Sequence, residues 1–205
     1  MIEERFVKAG VEVVSRDEIW ERFFPVKIGG TPIRDFLVRA VFPRPRDLIV
    51  LVKACIESAV NRGHAKVAEQ DVAAGCSQYA SYAFNAIVVE GAPQVDHLED
   101  LLLSFIDGPA IVNEYRLLEV MEQFNPNYDI ELFIKIPSEL TFLGLEVSFN
   151  KFEFVYDPGQ ETLISQRAKR TAGVHGERRF KIHPAFHELL GLKAASNPNQ
   201  KELSL

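Results

Sequence analysis

Over residues 45–61 the apolar side chains Leu48, Ile49, Leu51, Val52, Cys55, Ile56, Ala59 and Val60 cover most of a helix circumference. A helix that is apolar nearly all round must be surrounded by other elements, so this segment predicts a central helix in a helical assembly. Pro45 suits its first turn, where the missing N–H would have no helical partner anyway, and Gly63 suits its end. A second long helix is predicted over residues 69–90, where Val72, Cys76, Tyr79, Ala83 and Phe84 recur at helical spacing. The two should form a hairpin with Leu48, Leu51, Val52, Ile56, Val72, Tyr79 and Phe84 buried. With 205 residues, 47% of them hydrophobic and 25% charged, the chain has enough apolar surface for one large domain or two small ones.

Short helices are expected on either side of this hairpin. DEIWERFF places Ile19, Trp20, Phe23 and Phe24 on one face and stops at Pro25. Gly29, Gly30 and Pro32 mark a turn before IRDFLVRAVF, and Asn113 is placed to cap EYRLLEVMEQF. After Pro126 the pattern changes. Residues 130–143 are apolar and partly helical around Pro137, and Gly144 is expected to supply a left-handed end. LEVSF and FEFVY then read as a hairpin turning at Asn150 and Lys151, FKIHP as a further strand, and AFHELLGL as a last helix. Helix, helix, two-stranded hairpin and a returning strand are the parts of a winged-helix module. The predicted fold is therefore mainly α, with a helical lid-like bundle over residues 1–125, a winged-helix-like α+β module over 126–195 and a frayed tail over 196–205.

No run reaches the roughly 20 apolar residues of a membrane span, and the acidic start MIEERF is unlike a signal peptide. These features predict a cytoplasmic protein with no membrane partner. Cys55 and Cys76 sit among apolar residues and read as buried thiols rather than as a disulfide or a metal pair.

The net charge of −6 hides a local exception. Residues 165–183 carry Arg167, Lys169, Arg170, Arg178, Arg179 and Lys181 against the single acid Glu177, a local +5. On a flexible wing these cations would contact nucleic-acid phosphates without reading sequence. They would equally suit a solvated loop that answers the acidic remainder of the chain.

RPRDL at residues 44–48 places Arg44 and Arg46 on proline-bounded backbone at a helix start. Guanidinium groups pair bidentately with phosphate, and the helix N-terminus adds positive potential. Taken with IWERFFPVKIGG, KVAEQDVAAGCSQYASYAF and FKIHPAFHELLGL, this stretch resembles the C-terminal half of bacterial P-loop ATPases of the AAA and STAND kind. The resemblance runs from about Asp17 to Leu192. It implies a helical lid whose arginine senses the nucleotide γ-phosphate, followed by a winged-helix-like module. It also makes Asp71-Val72 the acidic-hydrophobic pair that opens a later lid helix.

The chain departs from those ATPases in having no G-x-x-x-x-G-K-[ST] loop to cradle phosphates. No catalysis is therefore expected and no cofactor is assigned to this chain. Arg44 and Arg46 become nucleotide-sensing candidates facing ATP held by a separate subunit or a missing domain. LLLSFID at residues 101–107 imitates a magnesium-binding strand but reads as helix core. His183 and His187 are four residues apart, yet Pro184 stands between them and no third metal ligand is evident, so no metal site is predicted. The expected function is a non-catalytic regulatory or interaction module that docks on a P-loop ATPase subunit. The alternatives are a nucleic-acid-binding winged-helix protein that uses the basic stretch, and helices that merely self-associate.

Overall fold

A computed structural model describes residues 2–8, 10, 16–124, 129–156 and 159–193. The chain divides into two compact units, Met1–Tyr82 and Ala83–Leu205. The division lies within a helix, earlier in the chain than the boundary expected near Pro126, and residues 125–128 fall outside those described. The expected tail over 196–205 also lies outside the described residues.

In the first unit, α1 (Ile2–Lys8) and α2 (Arg16–Phe23) meet through stacked rings of Phe6 and Phe23, with centroids 5.4 Å apart. The strands β1 (Lys27–Ile28) and β2 (Thr31–Pro32) form a two-residue hairpin in which Gly29 and Gly30 have φ of +53° and +82°. Both turn positions need left-handed backbone, which glycine adopts without a Cβ clash. Helix α3 (Ile33–Ala40) buries Ile33 and Leu37. Helix α4 (Pro45–Asn61) buries Leu51, Val52, Ala54, Cys55 and Ala59, but Val60 is 68% exposed and Lys53 and Glu57 pair on its outer side. The helix thus has one solvated face, a departure from the fully central position its composition predicts. Arg62 caps its end, and Gly63, with φ +71°, makes the turn that follows.

Helix α5 (Glu69–Gly91) returns along α4 as the predicted hairpin. The two helices approach so closely that a Cβ on Gly75 would lie 2.5 Å from the Cys55 Sγ and 2.9 Å from its backbone nitrogen. Cys55 is buried and Cys76 half-buried, and both are free thiols. Burial, reinforced by the nearby Cys76, pushes the Cys55 thiol up to about 12, so Cys55 behaves as a packing residue rather than a nucleophile.

In the second unit, α6 (Leu98–Leu103) buries Leu98, Leu101 and Leu102, so the stretch that imitates a magnesium-binding strand begins as buried helix, whereas its residues 104–107 form turns with Phe105 buried and Ile106 exposed. Strand β3 (Ile111–Asn113) leads into α7 (Glu114–Phe124), whose backbone N–H at Arg116 donates to the Asn113 side chain at 3.0 Å, the predicted cap. Helix α8 (Ile130–Glu139) is capped by Asp129 and packs Phe133, Ile134, Ile136 and Pro137 inward. The left-handed residue after it is Thr141, with φ +66°, and not Gly144. Thr141 is fully buried and its hydroxyl donates to the Val155 carbonyl, which holds it there. Gly144 instead lies in β4 (Leu143–Ser148), where a Cβ would meet the Phe154 ring at 2.7 Å.

The predicted hairpin of β4 and β5 (Lys151–Glu153) forms, but it turns at Phe149 and Asn150, with Asn150 at φ +55°, while Lys151 pairs with Ser148 and the second strand is shorter than FEFVY. Helix α9 (Glu161–His175) then precedes β6 (Arg179–Ile182). The four strands are antiparallel in the order β3-β6-β4-β5, so the last strand inserts between two earlier ones. After β6 the expected helix AFHELLGL is only a 3-10 turn, Pro184–Phe186, followed by hydrogen-bonded turns. Phe186 and Leu190 are buried, and Gly191 takes φ +59° where a helix would have continued.

Because Gly75 touches backbone as well as side chain on α4, Gly75→Val should overpack the α4–α5 contact. We expect a loss of about 1–3 kcal/mol in denaturant unfolding, with the unfolding slope unchanged.

Candidate functional site

Arg44 is the N-cap of α4 and Arg46 lies in its first turn, and both side chains are exposed. Each guanidinium lies over a ring, Arg44 5.7 Å from the centre of Phe42 and Arg46 5.8 Å from that of Tyr82. Neither enters an ion pair among the described residues. Next to Arg46, Asp47 is buried, 6% exposed, and accepts a hydrogen bond from the Tyr79 hydroxyl at 3.2 Å. The same hydroxyl accepts from the Phe42 backbone N–H at 3.0 Å. Burial raises Asp47 above the ordinary carboxylate range, opposed by Tyr79 and by the two arginines. Tyr79, predicted only as a packing residue, thus also gives the buried Asp47 carboxylate a hydrogen-bond partner and ties it to the Phe42 backbone. Sequence offered no signal for this, since the partners are 32 and 37 residues apart.

At the other end of the hairpin Asp71 is fully buried. It accepts hydrogen bonds from the Ser58 hydroxyl at 3.0 Å and the Ala68 N–H at 2.9 Å, lies 2.7 Å from His64 Nδ1, and pairs with Arg62 at 3.7 Å. Burial works against its charge, but these partners together hold its carboxyl below the usual range. Asp71 therefore ties the start of α5 to α4 and faces inward.

The basic stretch is not a flexible wing. Its first half, with Arg167, Lys169 and Arg170, lies on α9, where Ile164 and Ala168 are buried four residues apart and Gly176, at φ +86°, ends the helix. Helix-forming residues with an apolar stripe against β4 account for the difference. Much of the positive charge is also neutralised within the unit. Arg167 pairs with Glu153 at 2.6 Å, and Arg179 pairs at 2.9 Å with the nearly buried Glu146. Arg178 reaches Glu114 at 2.5 Å and Glu131 at 2.7 Å. Hydrogen bonding to Glu114 lowers that carboxyl, and the Glu114 and Glu131 carboxylates together raise Arg178 despite its partial burial. Lys169, Arg170 and Lys181 enter no ion pair among the described residues.

The two histidines do not converge on one point. His183 is 3% exposed, its Nδ1 accepts from the Ala185 N–H at 3.2 Å, and its Nε2 is 3.3 Å from the Tyr156 hydroxyl. His187 is half-buried with Nε2 2.9 Å from the Ile182 carbonyl.

Residues 1–88 match a family model described as the FunZ-associated C-terminal helical domain. That similarity takes in α1 to α4 and most of α5, including Arg44, Arg46, Asp47, Asp71 and Tyr79. No curated protein and no solved structure matches the chain. Among the described residues no helix is long and apolar enough to cross a membrane.

Burial, then the neighbouring His187 and Lys181, lowers His183 from 6.5 to about 3. The unfolded chain therefore takes up this proton first as pH falls. The contribution of neutral His183 should be fully present above about pH 6.5, decline towards pH 3 and level off below it. Unfolding measured across that window should show a shallower pH slope for His183→Gln than for the unsubstituted chain.

Proposed function

We propose that this chain is a non-catalytic interaction module that docks on an ATPase-type partner, with Arg44 and Arg46 facing an anionic group such as nucleotide phosphate held by that partner. The observation that carries this reading is the pair of exposed guanidiniums at the start of α4, backed by Phe42 and Tyr82 while Tyr79 hydrogen-bonds the buried Asp47. Arginines held in this way lose little freedom on meeting an anion, and the helix N-terminus adds positive potential there. The similarity of residues 1–88 to a helical domain described as C-terminal and FunZ-associated supports an accessory role within a larger system. The lack of a phosphate loop in the sequence supports a role without ATP turnover.

The order β3-β6-β4, with α7 and α8 between β3 and β4, supports a winged-helix-like reading of the second unit. Nucleic-acid binding through it is the weaker reading. Three of its six candidate cations are paired internally, and α8 exposes Glu131 and Lys135 rather than a basic face.

The purified chain should not turn over ATP. With a phosphate-loop ATPase as partner, Arg46→Ala should weaken nucleotide-dependent association about tenfold, the effect of one charge-assisted hydrogen bond. Alanine at Lys169, Arg170 and Lys181 should leave that association unchanged. Duplex binding by low-micromolar protein at physiological salt, lost with those three substitutions and indifferent to Arg44 and Arg46, would reverse the assignment.

A further inference from the structure

The second unit contains a groove of about 510 Å³ between α8 and α9, with strands β4 and β6 beneath it. Its volume lies within the range of about 300–1,000 Å³ common to small-molecule sites. Its floor is apolar, built from Ile134, Leu145, Ala168 and Phe180. One wall is the polar stripe Thr162, Ser165, Gln166 and Lys169, which recurs at spacings of three and four on α9. None of these four side chains makes a hydrogen bond or ion pair among the described residues.

The acids around the groove are engaged elsewhere. Asp129 caps α8, Glu131 is held by Arg178, Glu146 by Arg179, and Glu177 accepts from Asn113 at 3.0 Å. Burial and the adjacent Glu139 carboxyl raise Glu161 above the usual carboxylate range. On the opposite wall Lys135 is 3.5 Å from Glu139. Of the lysines and arginines lining the groove, Lys169 is exposed and is the one that enters no ion pair among the described residues, with Ser165 and Gln166 one turn away on the same wall.

We propose that this groove binds a small organic anion with an apolar body, its charged end held by Lys169, Ser165 and Gln166 and its body seated over Phe180, Leu145 and Ile134. The ammonium and its two neutral donors match a carboxylate, sulfonate or phosphate monoester, and the floor matches an aromatic or aliphatic body of modest size. This site is separate from Arg44 and Arg46 and does not depend on the docking reading.

The test uses the full chain and two fluorescent probes that share an apolar body, the anion 8-anilinonaphthalene-1-sulfonate and the uncharged N-phenyl-1-naphthylamine. Saturable binding is expected, with the anion preferred. Lys169→Glu should weaken the anion about tenfold while leaving the neutral probe unchanged, and Lys169→Arg should retain binding. Ser165→Trp should fill the groove and remove both probes, and Gln166→Trp provides the same block at an exposed position should the first variant fold poorly. Circular dichroism melting checks that each variant is folded. Absence of saturable binding, or binding of both probes that ignores Lys169→Glu and the tryptophan blocks in folded protein, would overturn the proposal.

Discussion

The second unit depends on the insertion of β6 between β3 and β4. Until residues 179–182 arrive, β3 and β4 have no strand between them, and the β4–β5 hairpin lacks its inner neighbour. Arg178 stands at the entry to that strand. Its guanidinium joins Glu114 at the start of α7 to Glu131 on α8, and its carbonyl accepts the Glu114 backbone N–H. One side chain thereby links the last strand to two helices formed much earlier in the chain. A late-arriving central strand also makes the contacts of this unit long-range, which slows folding relative to a helical hairpin of similar size.

The first unit is held by a different device. Its α4–α5 hairpin has a small-residue contact at Gly75 and Cys55, and a buried aspartate at each end. Asp47 meets one hydroxyl and is raised by burial, whereas Asp71 is reached by Ser58, His64, Ala68 and Arg62 and is lowered. The contrast follows from how many donors reach each carboxylate. Fixing α4 against α5 at both ends also fixes the backbone on which Arg44 and Arg46 stand, so the pose of those arginines follows from core packing.

The helical character, the α4–α5 hairpin, the Asn113 cap and the β4–β5 hairpin were all legible, because each rests on local periodicity or turn chemistry. The legible part of the candidate site was Arg44 and Arg46, whose proline-bounded start of α4 is itself a local signal. The fate of the basic stretch was not legible. Nothing near Arg167, Arg178 or Arg179 in sequence, apart from Glu177, supplies an acid, and their partners Glu153, Glu114, Glu131 and Glu146 arrive through the fold.

The sequence by itself determined the α4–α5 hairpin, the short helices α2, α3 and α7, and that positive charge gathers in residues 165–183, because these follow from side-chain periodicity, capping and composition. Tertiary structure alone decided that α9 replaces a wing, that β6 lies between β3 and β4, and that Asp47 is buried next to the exposed Arg46. It also decided that Lys169 lines a groove while Arg178 is consumed in ion pairs. Charge in a sequence is a count, whereas charge available to a ligand is what remains after the fold has brought opposite charges within reach, and that pairing requires residues distant in the chain to meet.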